Sequence, residues 1–195
     1  MKTKDTKILA MDQARKGAWS VFNYETKKLV NYGTYNYEFS DEDGKKRRLD
    51  YMEAVMLIEE LLDGLIDKFD PAIVILEDVP VTKTMATKPL LRLQGVLIHE
   101  LMKRQIPYEL IMPRTWQSAY KYRASELTTA QKQYKKKLET TAPYKNLKKT
   151  KQASLLAVKK LFRKELDNDD LADAILIGHY AVNNIDINNN CKKGN

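Results

Sequence analysis

The chain has 195 residues, 43% of them hydrophobic and 31% charged, with a formal net charge of +8, one cysteine and two histidines. That length supports one domain with a full core. The cysteine count excludes an internal disulfide framework or a Cys-based zinc site, and the apolar runs are too short to span a membrane.

The N-terminal MKTKDTKILAMD lacks a sustained apolar stretch, so no signal peptide is expected. The cysteine usage leads us to expect a reducing, cytoplasmic setting. The charge is unevenly spread. From Arg114 to Lys164 there are 15 Lys/Arg against Glu126 and Glu139, a net of +13, which leaves −5 for the remainder. A basic block beside an acidic remainder suits a polyanion held near an acidic centre. A solvated lysine-rich loop is the plainer alternative.

In chain order, Lys7 to Asp12 reads as a short buried strand ending in an acid. Ala18 to Tyr24 and Leu29 to Phe39 alternate and are rich in aromatic and β-branched residues, which predicts a three-stranded meander. Ser40 to Arg48 is polar and is expected to be a loop. Leu49 to Phe69 has helical spacing and stops at Asp70-Pro71. Ala72 to Glu77 is a continuous apolar run ending in an acid, as in a strand buried on both faces. A second helix is expected over Leu90 to Lys103, with Leu90, Leu93, Leu97, Ile98 and Leu101 on its apolar side, and a third buried strand over Tyr108 to Met112. Tyr120 to Thr150 is basic and tyrosine-bearing, and is expected to be partly disordered until DNA binds. Helical periodicity resumes at Leu155, Val158, Leu161 and Phe162, and a last helix is expected over Asp170 to Val182. The domain is placed at residues 1–182, with a polar, frayed tail at 183–195. Three strands followed by helix, strand, helix, strand and helices make a mixed α/β sheet with helices on its faces.

The acids carry the chemical signal. Asp12 and Glu77 each close an apolar strand, and parallel neighbours would bring both to one rim. Each could also be a plain strand end. In DNDDLADAIL, Asp170 and Asp173 are three apart and share a helix face, as do Asp169 and Asp173 at four. Helix capping would explain Asp169 or Asp170. It does not explain Asp173, an acid among small and apolar residues, which requires a basic partner or a metal. Four such carboxylates form an oxygen-only set, the kind that Mg²⁺ and Mn²⁺ prefer, and two ions about 4 Å apart can clamp a phosphodiester. His99 and His179 stand apart from these acids, so zinc-hydrolase and Ser-His-Asp readings are poor. No Gly-rich phosphate loop occurs, so no nucleotide cofactor or motor is expected.

The ordered set ILAMDQARKGAWSVFN, VILEDV, LLRLQGVLIHEL, YELIMPRTWQ, KKTKQASLLAVKKLF and DDLADAIL resembles the RuvC-type Holliday-junction resolvases over roughly Lys7 to Ala181. In size and composition the chain is similar to members from phages or from low-GC bacteria. The resemblance implies a ribonuclease-H-like fold, a mixed five-stranded sheet flanked by helices. It implies metal ligands at Asp12, Glu77, Asp170 and Asp173, with Asp169 the alternative to Asp170. It also implies an active-site lysine at Lys151, with Lys149 the second choice. The implied enzyme is a homodimeric, Mg²⁺-dependent endodeoxyribonuclease with two ions per site, Mn²⁺ substituting. It would cut branched DNA, a four-way junction, by paired nicks that leave 5′-phosphate and 3′-hydroxyl ends. The Leu90 to Leu101 helix resembles the family's dimer region, with core packing as the alternative.

The expected DNA contacts are Lys83, Met85, Lys88, Arg114, Lys121, Tyr122, Arg123, Lys135, Lys136, Lys148, Lys149 and Lys151, where cations mix with aromatic or apolar groups that stack on opened bases. Trp116 reads as a core residue behind Pro113. The chain departs from the family in its first turn, where Gln13-Ala14-Arg15-Lys16 stands in place of a Gly-rich sequence. Two other functions remain open at this point: a broader flap, branch or RNA-processing nuclease of the same fold, and a non-catalytic architectural junction binder.

Overall fold

The computed structural model describes residues 5–14, 16–40, 46–48, 51–80, 87–121, 127–142 and 144–187. Strands β1 (Lys7–Asp12), β2 (Lys16–Asn23) and β3 (Leu29–Asn36) form the expected meander. Two further strands, β4 (Glu38–Ser40) and β5 (Lys46–Arg48), pair antiparallel as a separate small sheet. The loop expected over Ser40 to Arg48 therefore ends in a strand. The run Lys46-Arg47-Arg48 is charged and has no alternation, so pattern alone gives no sign of it.

Helix α1 (Tyr51–Phe69) leads to β6 (Pro71–Glu77), α2 (Thr87–Lys103) and β7 (Tyr108–Ile111). Helices α3 (Pro113–Ala119), α4 (Thr129–Thr140), α5 (Lys149–Phe162) and α6 (Asp169–Asn184) complete the chain. The main sheet has the order β3-β2-β1-β6-β7. The meander pairs are antiparallel, whereas β1–β6 and β6–β7 are parallel. This is the mixed five-stranded sheet flanked by helices.

Strand alternation divides the core into two layers. Leu9, Met11, Val74 and Leu76 face α1 and α2, where they meet Ile58, Leu62, Leu97 and Leu101. Ile8, Ala10, Ile73 and Ile75 face the other way, onto Trp116, Leu155, Val158 and the apolar face of α6. Leu93, Leu97 and Leu101 of α2 are thus committed to the chain's own core. The packing account of that helix holds for those three residues.

Helix α6 lies close on the sheet because of Gly178. A Cβ there would meet Ser20 Oγ at 2.6 Å and the Phe22 ring at 2.7 Å. Ser20 Oγ also donates to the Ala174 carbonyl at 2.7 Å, which ties the helix to β2.

In the basic segment the described residues 127–142 and 144–150 are largely helical. Thr128 caps α4 through a capping box with Gln131, and Tyr134 and Leu138, four apart, bury its inner face. The 3₁₀ turn Tyr144–Asn146 follows. Gln152 of α5 then ties the segment down, its amide donating to the carbonyls of Leu138 (3.4 Å), Tyr144 (3.0 Å) and Leu147 (3.4 Å). The apolar pair was hidden by the lysines around it. Helix α6 runs two residues past Val182, and Ile187 beyond it is buried.

Candidate active site

Asp12 and Glu77 lie at the carboxyl ends of the parallel neighbours β1 and β6, whose register pairs Met11 with Leu76. By alternation Asp12 follows Ile8 and Ala10, and Glu77 follows Ile73 and Ile75. Both acids therefore project to the α6 side, within electrostatic reach of Asp170 and Asp173 of α6. The N-cap of α6 is Asn168, whose side chain accepts the Leu171 N–H at 2.8 Å. Asp169 and Asp170 thus occupy the first helical turn without being the cap, free to act at the rim.

The acids feel one another and their burial. Burial, reinforced by Glu77, Asp173 and Asp170, raises Asp12 well above the usual carboxylate range. Burial also raises Glu77, opposed by the Trp116 hydrogen bond and the Lys151 charge. Asp173 is pushed up to about 7, mainly by burial, with Ser154 and Lys151 acting in the opposite direction. Its Oδ1 is buried and has no hydrogen-bond partner among the described residues.

Lys151, in the first turn of α5, points into this group and not outward. Its ammonium pairs with Asp169 and with Asp170, the latter at 2.8 Å. Burial lowers its pKa, but the bonds to Asp169 and Asp170 outweigh that and raise it overall. Lys149 lies two residues away and is exposed.

With Lys151 seated there, no three acidic, His or Cys side chains among the described residues converge at metal-binding range. The donor set still fits a hard divalent cation. It is built of carboxylate oxygens, and the orphaned Oδ1 of Asp173 lacks the partner that a cation would supply.

Three residues around Glu77 were not expected to serve the site. The Trp116 indole N–H donates to Glu77 Oε1 at 2.8 Å. Gln94 Nε2 donates to the Glu77 carbonyl at 3.1 Å, and Gln13 donates to the same oxygen. Gln13 belongs to the turn that departs from the Gly-rich pattern, and its side chain folds inward. Gln94 carried a readable signal, a polar residue beside the apolar stripe of α2. Tyr35 braces Asp12 from the other side. Its hydroxyl donates to the Asp12 carbonyl at 3.4 Å and accepts the Ala14 N–H at 3.3 Å. A side chain at Gly17 would collide with that hydroxyl.

Of the expected DNA contacts, Lys88, Arg114, Lys121, Lys135, Lys136, Lys148 and Lys149 are exposed, while Lys151 is half-buried. Lys83, Met85, Tyr122 and Arg123 lie outside the described residues. Between α4 and α5 is a cavity of about 590 Å³ whose lining includes Tyr120, Lys135, Leu138, Lys149 and Leu156. His179 is packed among Phe22, Phe162 and Tyr120 and takes no part in the carboxylate group.

The chain has a ribonuclease-H-like fold. Solved structures with this architecture include Holliday-junction resolvases from bacteria and yeast. Thermus thermophilus RuvC in complex with a Holliday junction substrate matches with TM-score 0.59 and 13% identity, over 92% of this chain and 97% of that one. A second Thermus thermophilus RuvC structure matches with TM-score 0.58 and 15% identity, over 90% and 95%. The yeast mitochondrial Holliday junction resolvase Ydc2 matches with TM-score 0.52 and 18% identity, over 97% and 84%. No protein-family model matches the sequence, and no curated protein matches it.

Proposed function

We propose that this protein is a divalent-metal-dependent endodeoxyribonuclease that resolves four-way DNA junctions. The observation that carries the reading is the rim where Asp12, Glu77, Asp170 and Asp173 gather, with a buried oxygen of Asp173 left unpaired. Anions facing phosphate weaken a pure DNA binder, which counts against the architectural alternative. The fold supports the junction as substrate, because a protein of this fold is solved with a Holliday junction substrate.

In this reading Asp12, Glu77, Asp170 and Asp173 hold the cation, with Mg²⁺ the physiological ion, Mn²⁺ its substitute and two ions per site. A bound divalent cation polarises the scissile phosphate and lowers the pKa of the attacking water. The chain supplies the rest. Lys151 moves from its Asp169 and Asp170 partners to offset charge that builds on the phosphate oxygens. The exposed lysines of α4 and of the start of α5 hold the flanking phosphates. Trp116 and Tyr35 fix the acids from behind. A two-fold homodimer would put two such sites on opposite strands, giving paired nicks.

The test is a cleavage panel of four-way junction, flap, linear duplex and RNA–DNA hybrid, each with Mg²⁺, Mn²⁺ or EDTA. Paired nicks in the junction, dependent on metal and leaving 5′-phosphate ends, are expected. Preferential cutting of flap or hybrid would replace the junction reading, and binding without any cleavage would restore the architectural one.

A further inference from the structure

Glu77 is held at two points by three segments remote in sequence. Its side-chain Oε1 accepts the Trp116 indole N–H from α3, at 2.8 Å. Its carbonyl accepts Gln94 Nε2 from α2, at 3.1 Å, and the amide of Gln13 that follows β1. All three donors are buried: Trp116 is 1% exposed, Gln13 4% and Gln94 5%. Packing explains why an indole is buried here. It does not explain why the ring's one polar atom is aimed at an acid. The same holds for two buried amides that converge on one carbonyl, since such groups are costly unless paired.

The type of donor matters. An indole N–H only donates, does not titrate, and offers no lone pair to a cation. It commits one Glu77 oxygen to the protein. Among the described residues the Glu77 carboxylate has no other side-chain hydrogen bond.

We propose that Trp116 is a positioning residue for Glu77, locking its carboxylate so that Oε2 is the oxygen offered to a divalent cation, with Gln13 and Gln94 anchoring the peptide behind it. This rests on the reading of Glu77 as a metal ligand. Partners that orient metal ligands from behind typically change metal affinity by about 10- to 100-fold when removed.

The test uses the full chain and Mn²⁺ alone, with bound ion measured from the EPR signal of free Mn²⁺. Wild type, Trp116→Phe, Glu77→Gln and the double variant are compared. Phe keeps most of the ring and removes the donor, so Trp116→Phe should weaken Mn²⁺ binding roughly tenfold. Glu77→Gln should weaken it further, and Trp116→Phe should then add little, because both changes act through one carboxylate. Equal affinity of wild type and Trp116→Phe overturns the proposal, as do losses that simply multiply in the double variant. If wild type binds no Mn²⁺, or Glu77→Gln binds it normally, the metal-ligand reading itself fails and the positioning role falls with it.

Trp116→Phe could unfold the chain, so a second measurement keeps the indole. The chain has two tryptophans. In Trp19→Phe, Trp116 is the remaining one, and paramagnetic Mn²⁺ should quench its emission, with the quench lost in Trp19→Phe/Glu77→Gln. Unquenched emission from protein shown to bind Mn²⁺ would also overturn the proposal.

Discussion

The two faces of the main sheet start from the same strands and are used differently. Under α1 and α2 the packing is mainly apolar, Leu9, Met11, Val74 and Leu76 against Ile58, Leu62, Leu97 and Leu101, with Gln94 to the Glu77 carbonyl and Tyr37 to the Leu57 carbonyl as its polar ties. That layer holds a charged residue too, but a paired one: Arg104 links the buried Glu100 of α2 to Asp63 and Asp67 of α1. Under α6 an apolar core of similar kind is interrupted at one end by acids, and polar ties such as Ser20 to Ala174 and Tyr120 to Leu176 run through the layer. Strand parity decides which face receives the acids. A strand one residue longer or shorter would have sent Asp12 or Glu77 to the α1–α2 side. Among the described residues, the three carboxylates that burial raises overall, Asp12, Glu77 and Asp173, all lie on the α6 side. On the other side the burial of Glu100 is outweighed by its pairing with Lys103 and Arg104, which lowers it.

Variants on the two faces should therefore fail differently. The largest effect is expected on the α6 side. Asp12→Asn or Glu77→Gln should reduce single-turnover junction cleavage on the order of 10³-fold or more, while binding measured by gel shift in EDTA stays within about tenfold. Full cleavage by Asp12→Asn would remove that residue from the site. On the opposite face, Leu97→Ala should cost about 2–5 kcal/mol in denaturant unfolding, because the side chain is fully buried. The cleavage rate of the fraction that stays folded should be unchanged; a matching loss of rate would show that the two faces are coupled.

The last effect, comparable in size to that of Leu97→Ala, separates burial from metal at Asp173. Its folded pKa is about 7, against about 3.9 in an unfolded chain. Between those values the folded state keeps a proton that the unfolded state releases, so the Asp173 contribution to stability falls as pH rises from about 4 to 7 and then levels. In EDTA, Asp173→Asn should lose this part of the thermal-unfolding pH dependence and be more stable than wild type at pH 8. Added Mg²⁺ should stabilise wild type and leave the variant nearly unmoved. Equal pH profiles would mean that Asp173 is not ionising against a buried environment.

Much of this architecture is legible in the sequence because it follows from periodicity. β1 and β6 read as apolar runs with an acid at the end, and the structure makes them parallel neighbours. Asp173 is conspicuous because an acid flanked in sequence by Leu171, Ala172, Ala174 and Ile175, on a helix that must pack, requires a basic partner or a metal. The missed features depend on tertiary proximity or on diluted patterns. Helix α4 keeps two inward residues, Tyr134 and Leu138, among six lysines or glutamines, so its amphipathic stripe is too thin to read. The bond from Trp116 to Glu77 spans 39 positions and two elements, and no local pattern encodes it. The N-cap of α6 was one residue earlier than the aspartates suggested, because Asn168 competes well for that role.

Gln152 has a kinetic consequence. Its amide carries two hydrogens and is shared among the carbonyls of Leu138, Tyr144 and Leu147. These acceptors lie at the end of α4, in the 3₁₀ turn and just before α5, so the three segments should loosen together and not one by one. Amide exchange would then show a single opening rate across 134–152, set by one side chain next to Lys151. The lysine-bearing surface would behave as a latch with a shared lifetime, and in the proposed function its grip on DNA would be tuned at a residue that touches neither phosphate nor acid.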